Sequence, residues 1–104
     1  MTRTFRELGR GYIYVEMTIE NPDKLKEYTG LSASAVAAAG GRYIVGGTRP
    51  EVLEGKFEAD RVVIVEFDTA ARAREFYHSA VYQAAREKRI SAASFTMLLL
   101  EGVG

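Results

Sequence analysis

Hydrophobic and polar positions along this chain fall into six patterned segments. Apolar residues at every second position predict strands, and apolar residues three or four positions apart predict helices. In chain order the segments are read as strand, helix, strand, strand, helix and strand, over Gly11–Ile19, Pro22–Ala39, Arg42–Thr48, Arg61–Phe67, Thr69–Arg89 and Ala93–Glu101. A break near Ser79 would divide the second helix into two pieces. The order favours an α+β fold of the ferredoxin-like βαββαβ type, a four-stranded antiparallel sheet with two helices on one face.

The first strand has two faces of different character. Its aliphatic face carries Ile13, Val15, Met17 and Ile19. Its other face carries Tyr12, Tyr14, Glu16 and Thr18. Because successive side chains of a strand point to opposite faces, we expect the first set beneath the helices and the second beside a wet cavity or a subunit contact.

The face of the predicted sheet that the helices leave uncovered is too apolar for open water. It holds Tyr12, Tyr14, Val62, Ile64, Leu98 and Leu100. The simplest cover is a second copy of the same sheet, packed face to face around a barrel-like space. We therefore expect a homodimer of the dimeric α+β-barrel type.

Composition narrows the classes of function. A chain of 104 residues predicts one domain, here residues 11–104 behind a flexible N-terminal arm at residues 1–10. Fourteen basic and fourteen acidic side chains give a net charge of zero, which argues against nucleic acid as a partner. No apolar stretch reaches the roughly 20 residues that span a membrane. The N-terminal arginines are not followed by the apolar run of a secretory signal, so we expect a cytoplasmic protein.

The chain has no cysteine and one histidine. Without cysteine there is no thiolate nucleophile, iron–sulfur cluster or cysteine-ligated zinc. Zinc, iron and copper sites usually need several histidines or cysteines. We therefore predict no metal and no cofactor.

His78, the single histidine, is the candidate catalytic residue, because imidazole exchanges protons near neutral pH. The alternative is a solvated histidine at a helix end, where the helix dipole favours positive charge.

A binding pocket can be hypothesised between the sheet and the helices. Arg42 and Arg86 could hold a carboxylate or phosphate through paired N–H donors. Their alternative role is in exposed ion pairs, which contribute little energy. The full set of candidates lining the pocket is Tyr12, Tyr14, Arg42, Glu66, His78, Tyr82 and Arg86. Such a pocket would suit an anionic aromatic molecule or a short-chain acid.

Several short stretches, spread over nearly the whole chain, together resemble a known family. They are Gly11-Tyr12, Asn21-Pro22, Tyr28, Gly40–Tyr43, Gly46-Gly47, Val52–Gly55, Arg61–Phe67, Phe76-Tyr77, Ser79, Tyr82–Ala84, Arg86, Arg89 and Leu100–Val103. The chain resembles the domain-of-unknown-function family 1330, small bacterial proteins of the dimeric α+β-barrel superfamily. The resemblance implies a ferredoxin-like protomer and a homodimer, and it implies no particular reaction.

Three functions remain open at this point. The first is a homodimer that binds a small anionic or aromatic metabolite. The second is a cofactor-free monooxygenase or isomerase, like some members of the wider superfamily, with His78 or a tyrosine as the base. The third is a structural dimer module without a site.

Overall fold

A computed structural model describes residues 9–104, which form a four-stranded antiparallel sheet with helices packed on one face. The elements are β1 (Gly11–Ile19), α1 (Pro22–Ala38), β2 (Arg42–Thr48), β3 (Arg61–Phe67), α2 (Ala70–His78), α3 (Ala80–Glu87) and β4 (Ala93–Glu101). The strands lie in the order β2-β3-β1-β4. The predicted ferredoxin-like α+β arrangement is confirmed, with three helices in the described chain in place of the expected two.

Part of the predicted N-terminal arm, residues 1–8, lies outside the described residues. The remainder of the arm extends the pairing of β1 with β4, because the carbonyl oxygen of Arg10 accepts a hydrogen bond of 2.8 Å from the amide of Gly102. Between residues 9 and 104, no helix is both long enough and apolar enough to cross a bilayer.

The starts of α1 and α2 are fixed by polar side chains that cap free amides. The Asn21 side chain accepts from the amide of Lys24 at 3.1 Å, and Pro22 occupies the first turn, where a missing N–H costs nothing. The Thr69 hydroxyl accepts from the amide of Arg72 at the same distance, 3.1 Å. Both helices therefore begin where the sequence pattern predicts them.

Ser79 divides what the pattern predicted as one helix over Thr69–Arg89. Its backbone is extended, with φ −66° and ψ 149°. Its hydroxyl donates to the carbonyl of Phe76 at 2.7 Å and accepts from the amide of Tyr82 at 3.1 Å. One side chain thus satisfies backbone groups at the end of α2 and the start of α3, which makes the break energetically cheap. The prediction of two helices is wrong at this point, and the alternative of two pieces is correct.

Strand register assigns every sheet residue to one of two faces. Ile13 lies opposite Val65 and Leu99, on the side of the helices. The residues of the other face, called the outer face below, are Tyr12, Tyr14, Glu16, Arg42, Val45, Val62, Ile64, Glu66, Thr96, Leu98 and Leu100. This assignment confirms the faces predicted from the alternation in β1. Leu98 and Leu100 are each 47% exposed, so the described chain leaves the outer face partly uncovered.

The core contains buried residues of the sheet and of all three helices, and its aromatic part lies around α2 and α3. Phe67 and Tyr82 are fully enclosed. The ring of Phe76 lies between them, with centroids 5.1 Å from Phe67 and 4.8 Å from Tyr82, distances at which aromatic rings attract. The backbone of α2 lies close to β1, β3 and β4, whereas α1 lies close to α3 and to no strand comparably. This difference leaves space between α1 and the sheet.

The substitution Gly11→Ala tests how closely β1 approaches the start of α2. A Cβ atom at this position would lie 2.6 Å from the Cα of Ala70, which is backbone and cannot rotate away. We expect Gly11→Ala to lower the free energy of unfolding by about 1–3 kcal/mol, measured by urea denaturation.

Gly30 supplies the matched control, because it is an exposed position within α1 where an added Cβ meets no atom within 4 Å. Gly30→Ala should raise the free energy of unfolding by about 0.5–1 kcal/mol, since glycine weakens a helix interior. A Gly11→Ala variant as stable as the wild type would contradict the packing described here.

Candidate functional site

A cavity of about 540 Å³ lies between the helix-side face of the sheet and α1. Side chains of β1, β3 and β4 form its floor, among them Val15, Val63 and Phe95. Leu25 and Val36 of α1 form part of its roof. The wall is therefore mainly aliphatic and aromatic, which is typical of sites that bind small molecules.

Small residues keep this cavity open. Gly46 lies opposite Val63 in β2, and a Cβ atom placed on it would meet nothing within 4 Å. Ser32 and Ala33 of α1 border the same space. Because Ala33, Tyr43 and Gly46 are all exposed while they line the cavity, its mouth opens between α1 and β2.

Two tyrosine hydroxyls add polar atoms to this mainly apolar space. The hydroxyl oxygens of Tyr28 and Tyr82 lie 2.9 Å apart, and the hydroxyl of Tyr82 also donates to the Met97 sulfur at 3.3 Å. Burial raises the pKa of Tyr28 far above its ordinary value. Tyr28 therefore stays neutral at physiological pH and serves as a hydrogen-bonding group, not as a base.

Arg89, just beyond the end of α3, supports this aromatic end of the cavity. Its guanidinium carbon lies 4.2 Å from the centroid of the Phe95 ring and 5.9 Å from that of Tyr28. A cation at this distance from a ring face is attracted by the ring's quadrupole. Arg89 thus holds Phe95 and Tyr28 in place and does not itself line the cavity.

A charged cluster lies on the outer face, across the sheet from the cavity. Glu66 accepts a hydrogen bond of 2.9 Å from the Tyr12 hydroxyl and one of 2.7 Å from Nε of Arg42. Nε of Arg10 lies 4.0 Å from the same carboxylate. The hydrogen bond from Tyr12, followed by the bond and charge of Arg42, holds the pKa of Glu66 below its usual range. The same hydrogen bond raises the pKa of Tyr12.

The predicted site residues do not line one pocket. Tyr12, Arg42 and Glu66 meet in the outer-face cluster, and Tyr14 lies on the same face with its hydroxyl 3.1 Å from Glu16. Tyr82 alone of the seven lines the cavity beneath α1 in the described chain. The separation follows from the pleat, because Tyr12, Tyr14, Arg42 and Glu66 occupy strand positions that point away from the helices.

The two remaining candidates lie elsewhere on the helical layer. His78 is exposed at the end of α2 and borders a separate recess of about 230 Å³ together with Arg74 and Tyr77. Arg86 is half-buried in α3, and its Nε atom has no hydrogen-bond partner within the described residues. The hypothesis of a single pocket lined by all seven residues is therefore wrong in its geometry, while the role of each residue stays a prediction.

Sequence reasoning missed most of the residues that build the cavity. The sequence pattern does not single out Tyr28, Phe95 or Met97 as residues that line a cavity. One signal was available: Gly46 removes a side chain from the helix-side face of β2. Across residues 9–104, no group of three histidine, cysteine, aspartate or glutamate side chains is placed to hold a metal ion.

The fold and the family are fixed by comparison with known proteins. The described chain is a ferredoxin-like α+β protein. The family model "Domain of unknown function (DUF1330)" matches residues 10–103, so the protein belongs to that family. A comparison with curated proteins finds no match.

Three solved structures illustrate the range of similar folds. The RPA0582 protein of unknown function from Rhodopseudomonas palustris is 20% identical with a TM-score of 0.68, over 92% of this chain and 84% of its own. A dimeric ferredoxin-like protein of unknown function from Jannaschia sp. CCS1 is 15% identical with a TM-score of 0.71, over 90% and 100%. SnoaB, a cofactor-independent oxygenase from Streptomyces nogalater, is 10% identical with a TM-score of 0.62, over 92% and 95%. At these identities the similarity establishes the fold alone.

The outer-face cluster predicts how stability responds to acid. The pKa of Glu66 in the folded protein is below that of an unfolded glutamate, about 4.3. Ionised Glu66 therefore stabilises the fold at neutral pH, and this contribution is lost as the pH falls below that value through the lower folded pKa. Glu66→Gln should be less stable than the wild type at neutral pH, and the gap should narrow on acidification.

Urea denaturation of both proteins at neutral pH and at about pH 3 measures the two gaps. Glu58→Gln is the matched control, because Glu58 is exposed in the connection between β2 and β3. A gap between wild type and Glu66→Gln that is the same at both pH values would show that the cluster does not act through ionised Glu66.

Proposed function

We propose that this protein binds a small, predominantly apolar molecule in the cavity beneath α1, and that it does so as a homodimer. The observation that carries the proposal is an apolar cavity of about 540 Å³ with a tyrosine hydroxyl pair on its wall. Ligand sites usually occupy about 300–1,000 Å³ and combine apolar walls with a few polar groups that fix orientation. The cavity has both properties.

The hydroxyl pair defines one polar contact of the ligand. The Tyr82 hydroxyl donates to the thioether of Met97, and a thioether sulfur is a weak acceptor. The Tyr82 hydroxyl is enclosed in the protomer, so a ligand oxygen takes the place of this weak acceptor only if the Met97 side chain moves aside. Since Tyr28 is neutral, the pair favours uncharged oxygen at this end. A ring with one oxygen substituent, such as a phenol or an aryl ketone, fits these requirements.

Gly46→Leu tests whether the cavity is the binding site. A Cβ atom added at residue 46 would meet no atom within 4 Å, so we expect a leucine there to fill the mouth of the cavity. Probes are chosen by thermal-shift screening of one- and two-ring phenols and aryl ketones against the wild type. Such a probe at a hundredfold excess over its Kd stabilises the protein by about 2.7 kcal/mol, and we expect that stabilisation to vanish in Gly46→Leu.

Gly30→Leu is the matched control, since it makes the same change on the exposed side of α1, outside the cavity. It should retain the full ligand-induced shift. Undiminished binding by Gly46→Leu would exclude this cavity as the site.

Exposed apolar side chains on the outer face support the proposal of a homodimer. Leu98 and Leu100 are large apolar side chains, each 47% exposed in the protomer. The radius of gyration of the protomer is 14.6 Å, whereas a compact domain of this length has about 13 Å. The larger value is expected for a flat protomer with one open sheet face. The similar protein from Jannaschia sp. CCS1 is described as dimeric. A second copy on the outer face would bury this apolar surface.

The double variant Leu98→Glu, Leu100→Glu tests the dimer. Placing charges on both copies of the proposed interface should convert a dimer to monomers, measured by sedimentation velocity. Val81→Glu is the control, because Val81 is 59% exposed on α3 in the helical layer. It should sediment like the wild type. A wild-type protein that sediments as a monomer at micromolar concentration would reject this part of the proposal.

A cofactor-independent oxygenase is the second candidate function. SnoaB has this activity and a similar fold, and an apolar cavity would hold an aromatic substrate away from water. Such chemistry needs a base. Tyr28 is unsuited because its pKa is raised, and His78 borders the separate recess. Oxygen uptake with an activated phenol that disappears in Gly46→Leu would support this candidate, and unchanged uptake in His78→Ala would remove His78 from the mechanism.

A further inference from the structure

We propose that the ligand of the cavity is an apolar carboxylic acid whose acid group lies at Arg61. This inference rests on the function proposed above and names the class of ligand. Arg61 is the sole charged side chain among the described residues that line the cavity. It begins β3 opposite Met17, which places it on the helix-side face of the sheet.

The guanidinium of Arg61 is free to bind a ligand. The residue is exposed, and among residues 9–104 no hydrogen bond or ion pair engages its side chain. The neighbouring carboxylate of Asp60 is already used, since it accepts from the amide of Ile19 at 2.8 Å and lies 3.9 Å from Arg49. Arg42, in contrast, is held by Glu66 on the other side of the sheet. Of these two arginines, only Arg61 is an unpaired cation beside the cavity.

The register gives the ligand an approximate length. Arg61, Met17 and Phe95 lie in one row across the adjacent strands β3, β1 and β4. Two strand spacings separate the backbone of Arg61 from that of Phe95 by about 10 Å. The tyrosine pair lies at the Phe95 end, where the rings of Tyr28 and Phe95 are 5.4 Å apart. A molecule that reaches both ends therefore has an acid, an apolar body of one or two rings, and optionally an oxygen at the far end.

A ligand carboxylate at Arg61 avoids most of the free-energy cost of burying an ion. A carboxylate moved into an apolar cavity loses its hydration, and only a paired and hydrogen-bonded charge offsets that loss. At Arg61 the acid group stays partly in water, because Arg61 is an exposed residue. The apolar body alone enters the cavity. The arrangement thus favours amphipathic anions over neutral molecules and over ions charged at both ends.

The test compares matched acid and amide probes. Two pairs are 1-naphthylacetate with its primary amide and 4-phenylbutyrate with its primary amide. Calorimetric Kd values are measured for the wild type, Arg61→Gln and Arg72→Gln, the last being another exposed arginine, on α2 away from the cavity. We expect the wild type to bind each acid about tenfold more tightly than its amide, as a charge-assisted hydrogen bond implies.

Arg61→Gln should weaken binding of the acids about tenfold and leave binding of the amides unchanged, whereas Arg72→Gln should change neither. Acid and amide that bind the wild type equally, and that both lose binding in Gly46→Leu, would overturn this inference while the proposed function stands. Loss of acid binding in Arg89→Gln but not in Arg61→Gln would also overturn it, because the acid would then lie at the opposite end. Failure of every probe in both screens would count against both proposals.

Discussion

The rest of the structure depends on a sheet that carries large side chains on both of its faces. Alternation in β1 places Ile13 on one side and Tyr14 on the other, and neither side is polar enough to be left in water. The helices cover the first side. The second side is only partly covered in the described chain, and Leu98 remains 47% exposed there. One pattern of alternation thus generates both the core and the surface proposed to pair with a second copy.

The helices cover their face of the sheet unevenly, and the cavity lies where α1 stands away from the strands. Among the helices, α2 lies close to three strands and carries Phe76 of the aromatic core, while α1 lies close to α3. The Tyr28 and Tyr82 hydroxyls join α1 to α3 at 2.9 Å, which keeps α1 at a distance set by two aromatic rings. Glycine at position 46 then leaves the mouth of the cavity open between α1 and β2. A packed core and an open cavity therefore share Tyr82 as a common wall.

The sequence predicted the fold well because its determinants are local. Capping residues, the period of apolar positions and the uniform alternation in β1 each depend on neighbours within a few residues. Ser79 shows the limit of such reasoning, since the sequence pattern allows a break there but does not show that the Ser79 hydroxyl bonds to the backbone of both helices. The candidate site was harder to predict. The distance between α1 and the sheet depends on contacts between residues 54 positions apart, such as Tyr28 and Tyr82, and single-sequence patterns carry no such information.

Arg42 and Arg61 differ in whether a carboxylate already pairs with them, and the sequence alone does not show this difference. Arg42 and Arg61 occupy opposite faces of neighbouring strands, and both residues are exposed. Glu66 neutralises Arg42 at 2.7 Å within a cluster that also satisfies Tyr12, so an added anion there would have to compete with a carboxylate already in place. Arg61 has no such competitor, because Asp60 is committed to Ile19. An anion that approaches this protomer therefore meets an unpaired cation at the cavity, where an apolar body can be buried at the same time.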